Sequence, residues 1–150
     1  MAQIRKMMES EAGQVLALWN ENCVEAAGRS LSDSESAGVL RLLRQYASHS
    51  DAFCFVAQEQ NGLVGFLTAC LLSHPVMEGC CGEIEELYVQ PHTRRHGIGS
   101  ALANQAVALL RERGTLPIRT HTCADSPLAK SFWQHLGWEQ CVAVFSLCGE

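Results

Sequence analysis

The chain has 150 residues, of which 47% are hydrophobic and 18% charged, a size and composition typical of a globular protein. Its formal net charge of −5 argues against nucleic-acid binding through overall positive charge. The start lacks the apolar run of a signal peptide, and the longest apolar stretch, residues 62–73, is too short to span a membrane. We therefore expect a cytoplasmic protein without membrane or nucleic-acid partners. No linker-like segment interrupts residues 1–150, which are expected to form a single domain.

The first half of the chain shows the patterns of a strand, two helices and a hairpin. The second helix begins near Asp33 or Ser34, either of which can act as the N-cap, and its apolar stripe includes Tyr46. The hairpin turns at Asn61-Gly62, because this pair accepts the positive φ of a tight turn. In chain order, the four segments are residues 3–8, 9–23, 30–48 and 51–73.

Strands and helices alternate in the second half. One helix opens at Gly97 or Ile98 and ends at Gly114, and a later helix begins with Ser126 as N-cap and Pro127 in its first turn. The order β-α-α-β-β-β-α-β-α-β predicts a mixed sheet with helices packed on it, of α+β or α/β type. The expected strands of this half are residues 82–90, 116–123 and 141–149, and its last helix is residues 126–137.

The segment RRHGIGS, residues 94–100, joins a strand that ends in LYV to the start of a helix. The free N–H groups and the dipole of a helix N-terminus favour an anion, and glycines let the backbone approach it closely. Arg94 and Arg95 add charge suited to phosphate oxygens. A P-loop is excluded because no lysine follows, and a dinucleotide fingerprint is excluded because its third glycine is missing. The glycines alone also fit an ordinary helix start.

This segment resembles the acetyl-CoA-binding segment of the GNAT superfamily of N-acetyltransferases. The family pattern R/Q-x-x-G-x-G/A is matched by Arg94, Gly97 and Gly99. It follows a strand end in which Leu87 and Val89 match the family's apolar positions. The order of the predicted elements is also similar, so the likeness covers nearly the whole chain. It implies a GNAT-like α+β fold of three layers, with a central mixed, mostly antiparallel β-sheet flanked by helices.

The resemblance implies a binding site for acetyl-CoA. In such a site the pyrophosphate rests on the amides of residues 95–100, and the pantetheine arm pairs with the backbone of Leu87 and Val89 like an added strand. The acceptor is then a primary amine of a small molecule or a peptide, and the family often forms homodimers. The residues that this places at the cofactor are Leu87, Tyr88, Val89, Arg94, Arg95, His96, Gly97, Ile98, Gly99 and Ser100.

Transfer of an acetyl group to an amine calls for a base, because an alkylamine with a pKa of about 10.4 is almost fully protonated at neutral pH. The segment EIEELYV supplies carboxylates, and the resemblance favours Glu85 and then Glu83 as this base. The two-residue period of a strand predicts that Glu86 faces the other way. The same carboxylates also fit a solvated strand face, or the binding of a cationic amine without proton transfer. His121 is a third, weaker alternative.

A second GNAT signature, A-x-x-x-Y-x-x-x-G-F, is matched by Ala129, Gly137 and Trp138, with Trp133 at the tyrosine position. Many family members use that tyrosine to protonate the leaving thiolate, whereas an indole can only donate a hydrogen bond. Trp133 is therefore either a contact to the sulfur or part of the core. If it is a contact, the thiolate leaves unaided, or Tyr88 or His135 supplies the proton.

The loss of this tyrosine keeps two alternatives open, a non-catalytic acyl-CoA-binding module and a partner-binding protein that retained only the fold. A covalent mechanism through Cys123 is disfavoured because the sequence offers no histidine and aspartate to orient the thiol. The pair Cys80-Cys81 near His74 matches no zinc spacing, so no metal is expected.

Overall fold

The computed structural model describes residues 2–73, 80–115, 117–122, 126–141 and 145–147. The chain divides into two compact units, residues 1–120 and residues 121–150. The described part of the first unit contains β1 (Gln3–Lys6), α1 (Ala12–Ala27), α2 (Asp33–Tyr46), β2 (Ala52–Glu59), β3 (Gly62–Ser73), β4 (Cys80–Val89), α3 (Ile98–Glu112) and β5 (Ile118–Thr120). The described part of the second unit contains α4 (Pro127–His135).

The five strands described in the first unit form one sheet in the order β1-β2-β3-β4-β5. The pairings from β1 to β4 are antiparallel, and β5 joins β4 in parallel. This mixed, mostly antiparallel sheet flanked by helices confirms the predicted α+β fold class.

The register between β3 and β4 shifts once, and the shift changes which side chains share a face. Thr68 pairs with Glu86, while the next residue, Ala69, pairs with Ile84. Glu85 is therefore an extra residue in β4, a β-bulge. A bulge bends the strand and redirects the side chains around it.

The helices cover both faces of the sheet. On one face, α1 and α2 bury a cluster that contains Met7, Ala12, Val15, Leu18, Leu43, Cys54, Val56, Phe66 and Tyr88. On the other face, α3 buries Ile98, Leu102, Ala103, Ala106 and Leu110. The apolar stripe of each helix thus packs against every second residue of the strands, because side chains alternate between the two faces of a sheet.

The local signals at turns and caps account for most element boundaries. The hairpin turns where Asn61-Gly62 predicted it, with Gly62 at φ +130°. The N-cap of α2 is Ser32, however, and not Asp33 or Ser34. Its hydroxyl accepts a hydrogen bond from the Glu35 N–H, while the Glu35 carboxylate accepts one from the Ser32 N–H. This reciprocal capping box requires a glutamate three residues after the cap, which fixes the helix start at Asp33.

The C-terminal part departs from the predicted strands. The strand expected at residues 116–123 is limited to Ile118–Thr120, and Leu116 and Cys123 lie outside the described residues. Of the strand expected at 141–149, Cys141 and residues 145–147 are not in strand conformation, and the others lie outside the described residues. No described helix is both long and apolar enough to cross a bilayer.

Two glycines in the sheet predict a measurable difference in stability. A Cβ at Gly65 would lie 2.9 Å from the Tyr88 carbonyl oxygen and 3.3 Å from Val89 Cγ2, so the β4 backbone would have to move. A Cβ at Gly82 would lie 3.0 and 3.1 Å from Cδ1 and Cδ2 of Leu110, the end of a buried side chain, which can shift more easily than a strand backbone. We expect Gly65→Ala to lower the free energy of unfolding by about 1–3 kcal/mol and Gly82→Ala by less than about 1 kcal/mol. Urea denaturation measures both, and equal losses would contradict the argument.

Candidate active site

The second half of β4 has one open edge. β4 pairs with β3 up to Val89, but with β5 only through Gly82, Glu83 and Ile84. The N–H of Gln90 donates to the Val64 carbonyl of β3 at 2.8 Å. Because backbone groups alternate in direction along a strand, those of Leu87 and Val89 point away from β3. In the described part of the chain, no strand pairs with residues 85–89 on that side, so an extended ligand could do so.

The turn after β4 leads the chain into a helix N-terminus. Arg95 and Gly97 both adopt left-handed conformations, with φ of +67° and +78°, and α3 begins at Ile98. The first helical hydrogen bond here runs from the Ala101 N–H to the Gly97 carbonyl at 2.9 Å. The N–H groups of residues 98–100 therefore have no partner within the helix, and the helix dipole adds partial positive charge. The helix start that the glycine spacing predicted is therefore present, and a helix N-terminus of this kind favours an anion.

Arg94 is held by protein groups. Its guanidinium donates to both carboxylate oxygens of Glu25 on α1, at 2.8 and 2.6 Å, and its Nε donates to the Val89 carbonyl at 2.8 Å. The guanidinium also lies 5.6 Å from the centre of the Tyr88 ring. The hydrogen bond from Arg94 lowers the pKa of Glu25, so the carboxylate balances the arginine's charge. Arg95 and His96 are exposed in the same turn.

All three acidic residues of β4 lie on the side of α1 and α2. The Tyr46 hydroxyl, at the end of α2, donates to Glu85 Oε1 at 2.8 Å. The Asn22 amide of α1 donates to Glu86 Oε2 at 3.2 Å. Glu83 pairs across the sheet with Cys70, which lies beside Glu85 as well. The prediction that Glu86 faces the other way is therefore wrong, because the bulge at Glu85 interrupts the two-residue period.

The surroundings of Glu85 and Glu86 disfavour the charged forms of these two carboxylates. Partial loss of solvation raises the pKa of Glu85, the Tyr46 hydrogen bond opposes this rise, and repulsion from Glu83 adds to it. Burial, and then repulsion from Glu85, raise the pKa of Glu86. Burial raises the pKa of the neighbouring Cys70 thiol to about 12, with Glu85 adding to the effect, so this cysteine stays a neutral thiol. Raised carboxylate pKa values next to an open strand edge are typical of a functional site.

The side chain of Tyr88 is buried in the core beneath α1, paired across the sheet with Phe66. Burial raises the pKa of its hydroxyl. Tyr88 can therefore contribute to the open edge of β4 only through the strand that it anchors. Its side chain is poorly placed to protonate the leaving thiolate.

In the second unit, α4 begins as predicted. The Ser126 hydroxyl accepts a hydrogen bond from the Ala129 N–H at 3.4 Å, and Pro127 occupies the first turn. Trp133 is buried at 8% exposure, with ring centres 5.0 Å from Phe132 and 4.6 Å from Trp138. These contacts favour its role as part of an aromatic core.

The covalent mechanism through Cys123 and the metal site near His74 both involve residues that the structure does not describe. Cys123 and His74 lie outside the described residues. Among the residues that the structure describes, no group of three or more histidine, cysteine, aspartate or glutamate side chains could hold a metal ion.

Three residues of the site were missed from the sequence. Tyr46 was assigned to the apolar stripe of α2, and nothing in the pattern of α1 distinguished Asn22 or Glu25. Their partners lie 39, 64 and 69 residues away in the chain. A spacing pattern within one element carries no information about such contacts.

The mixed sheet and the helix N-terminus after β4 agree with the resemblance found in the sequence, and a comparison of sequences gives the family. Residues 15–138 match the sequence model of the acetyltransferase (GNAT) family. The chain belongs to this family. An uncharacterized N-acetyltransferase of Methanocaldococcus jannaschii is 30% identical over 87 residues, 57% of this chain and 38% of that relative's length.

Solved structures with the same fold include several acetyltransferases. A transcriptional regulator from Bacillus halodurans has a TM-score of 0.84 at 20% identity, over 99% of this chain and 100% of that one. An aminoglycoside acetyltransferase from an uncultured soil sample, crystallised with sisomicin, has a TM-score of 0.77 at 22% identity, over 99% and 97%. An aminoglycoside N-acetyltransferase crystallised with coenzyme A has a TM-score of 0.81 at 15% identity, over 99% and 95%. At these identities the likeness establishes the fold.

Proposed function

We propose that this protein is an N-acetyltransferase that transfers the acetyl group of acetyl-CoA to a primary amine of a small molecule or a peptide. Direct attack in a ternary complex is the proposed route. The observation that carries the proposal is the construction of β4. Its open edge runs into the helix N-terminus at residues 98–100, and the same strand presents three carboxylates towards α1 and α2.

The open edge of β4 and the N-terminus of α3 fit two parts of the cofactor, the pantetheine arm and the pyrophosphate. The backbone groups of Leu87 and Val89 can pair with the amides of the pantetheine arm, as an added strand would. The N–H groups of residues 98–100 can receive the pyrophosphate. The Val89 carbonyl already accepts from Arg94, so the Val89 N–H is the group of that residue left for the cofactor.

The two arginines of the turn should differ in their effects on the cofactor. Arg95→Gln removes an exposed charge, and we expect coenzyme A affinity to fall about threefold to tenfold with a weaker dependence on salt. Arg94→Gln instead breaks the pair with Glu25, and we expect it to cost about 1 kcal/mol of stability with a smaller loss of affinity. Calorimetric titration and thermal denaturation of both variants check this. A larger loss of affinity in Arg94→Gln at unchanged melting temperature would contradict it.

Glu85 is the proposed base. An amine with a pKa of about 10.4 must lose a proton before its nitrogen can attack the acetyl carbonyl, and Glu85 can accept that proton directly or through water. Its raised pKa brings it closer to the working pH than an ordinary glutamate. Glu83 and Glu86 add negative charge that attracts a cationic acceptor to the same face.

The remaining steps need little from side chains. As the new C–N bond forms, negative charge develops on the carbonyl oxygen, and the proposed donor to it is the backbone N–H of Val89 or of a neighbouring residue of β4. The C–S bond then breaks, and the sulfur leaves as a thiolate with a pKa of roughly 8.5, which needs no dedicated acid. Trp133 at the position of the family's tyrosine is compatible with this, because its side chain packs against Trp138.

Release of free thiol from acetyl-CoA, measured with a panel of amines, tests the proposal. We expect acceptors with a protonatable primary amine to raise thiol release above the background rate of hydrolysis. Because Trp133 packs against Phe132 and Trp138, the alternative function is a non-catalytic acyl-CoA-binding module. Tight binding of acetyl-CoA without thiol release from any amine would favour that alternative. Absence of any binding would favour a partner-binding protein of the same fold.

We also propose a cytoplasmic homodimer. Phe145 and Leu147 are 94% and 101% exposed, and a second copy of the chain could cover such apolar side chains. Light scattering at micromolar concentration measures the mass, and a monomer would reject the dimer.

A further inference from the structure

We infer that Tyr46 is a positioning residue that fixes the carboxylate of Glu85 for catalysis. This inference rests on the proposed function, in which Glu85 is the base. Tyr46 is the last residue of α2, and its hydroxyl donates to Glu85 Oε1 at 2.8 Å. The contact joins two residues that are 39 positions apart, from two separate elements.

The need for such a contact follows from the bulge. Glu85 is the unpaired extra residue of β4, so it has no cross-strand partner in β3, whereas Glu83 pairs with Cys70 and Glu86 with Thr68. A glutamate has three rotatable side-chain bonds, and a free carboxylate would sample several rotamers. The Tyr46 hydrogen bond selects one orientation and leaves Oε2 for the acceptor's proton.

The groups around Glu85 determine the sign of its pH dependence. Tyr46 approaches from α2, Cys70 from β3, and Glu83 and Glu86 from β4 itself, while α1 supplies the neutral Asn22 beside Glu86. Tyr46 is the donor in this group, and its hydroxyl stays protonated because burial and the contact with Glu85 raise its pKa. A donor stabilises the charged form of a carboxylate, so Tyr46 keeps the pKa of Glu85 lower than it would otherwise be.

Tyr46→Phe removes the hydroxyl and keeps the ring. We expect the pKa of Glu85 to rise by about 0.5–1 pH unit, because the donor to the charged form is lost. The acid limb of the kcat/KM profile should move to higher pH by the same amount, and the plateau of kcat should fall about threefold to tenfold through lost orientation. The KM for acetyl-CoA should stay within twofold, since Tyr46 contacts the carboxylate and not the open edge of β4.

The experiment combines an NMR titration with kinetics. Carbon-13 signals of the glutamate carboxyl groups, assigned with Glu85→Gln, give the pKa of Glu85 in the wild-type protein and in Tyr46→Phe without any substrate. The pH–rate profiles of the same proteins follow, with the acceptor that gives the most thiol release. Gln45→Ala is the matched control, because Gln45 is exposed on the last turn of α2 and should leave both quantities unchanged.

The outcomes separate this inference from the proposed function. The inference is supported if Tyr46→Phe shifts the pKa of Glu85 measured by NMR and the acid limb of the kcat/KM profile by the same amount. An unshifted titration in an active enzyme overturns the inference alone, and so does a shifted titration with an unmoved acid limb. A wild-type protein that releases no thiol with any amine rejects the proposed function, and the role of Tyr46 with it, whatever the titration shows.

Discussion

Glu85→Gln should lower kcat by about a hundredfold or more, because a positioned general base contributes on the order of 10²–10⁴ to the rate. The amide is nearly isosteric with the carboxylate but cannot accept the proton of the acceptor amine. Binding of acetyl-CoA should change by less than about twofold, since the Glu85 side chain faces α2 while the proposed cofactor contacts are backbone groups of Leu87 and Val89. Steady-state kinetics and calorimetry on the same variant measure the two quantities.

Glu83→Gln is the natural comparison, because Glu83 shares the acidic face but lies outside the bulge. We expect Glu83→Gln to lose less activity than Glu85→Gln, mainly through a higher KM for cationic acceptors. The wild-type rate should rise with pH through the pKa of Glu85, which lies above the ordinary value of 4.5, because only the deprotonated carboxylate accepts a proton. If both single variants and the double variant keep the wild-type pH–rate profile, the base lies elsewhere.

Gly97→Val should weaken coenzyme A binding by at least about tenfold. Gly97 is the N-cap of α3 at φ +78°, a conformation that a β-branched residue adopts only at a cost of roughly 1–2 kcal/mol. The added side chain would meet no protein atom near its Cβ, so the fold should survive. It would, however, shift the turn that presents the N–H groups of residues 98–100, and calorimetry detects the lost affinity. A bulky residue at Gly99, within the same turn, should act in the same direction.

Gly114→Val offers a matched control at the other end of α3. Gly114 has a similar φ of +71° and also has no atom within 4 Å of an added Cβ, so both variants carry similar strain. We expect similar decreases in melting temperature but a loss of coenzyme A affinity in Gly97→Val alone. Equal affinity in the two variants would show that the turn at 94–100 does not bind the cofactor.

The elements that the sequence predicted well are those set by local chemistry. The start of α3 follows from the glycine turn, the hairpin from Asn61-Gly62, and the start of α4 from Ser126 and Pro127. Each depends on groups within a few residues, so the pattern contains the cause. The N-cap of α2 was placed one or two residues late because Ser32, Asp33 and Ser34 are all good caps, and only the distance to Glu35 distinguishes them.

The sequence proposed residues for the candidate site but did not show how they are arranged. A strand period of two assigned Glu86 to the wrong face, because one inserted residue in β4 is invisible without the register against β3. Arg94 was expected to neutralise phosphate, yet its charge is balanced by Glu25, a residue on another helix. Both differences arise from tertiary pairing, which the local pattern does not encode.

The contacts made by the last turns of α1 matter for protein engineering. On adjacent positions of its last turns, Glu21 accepts from the Gln90 amide, Asn22 donates to Glu86, and Glu25 holds Arg94. One helix face therefore supports both Glu86, one of the acidic residues that would select an acceptor, and the turn that would hold coenzyme A. A mutant library that randomises this face to obtain a new acceptor would also perturb cofactor affinity, so selection would recover compromises between the two. Diversity is better introduced on α2 at positions other than Tyr46, with Glu21 and Glu25 kept constant.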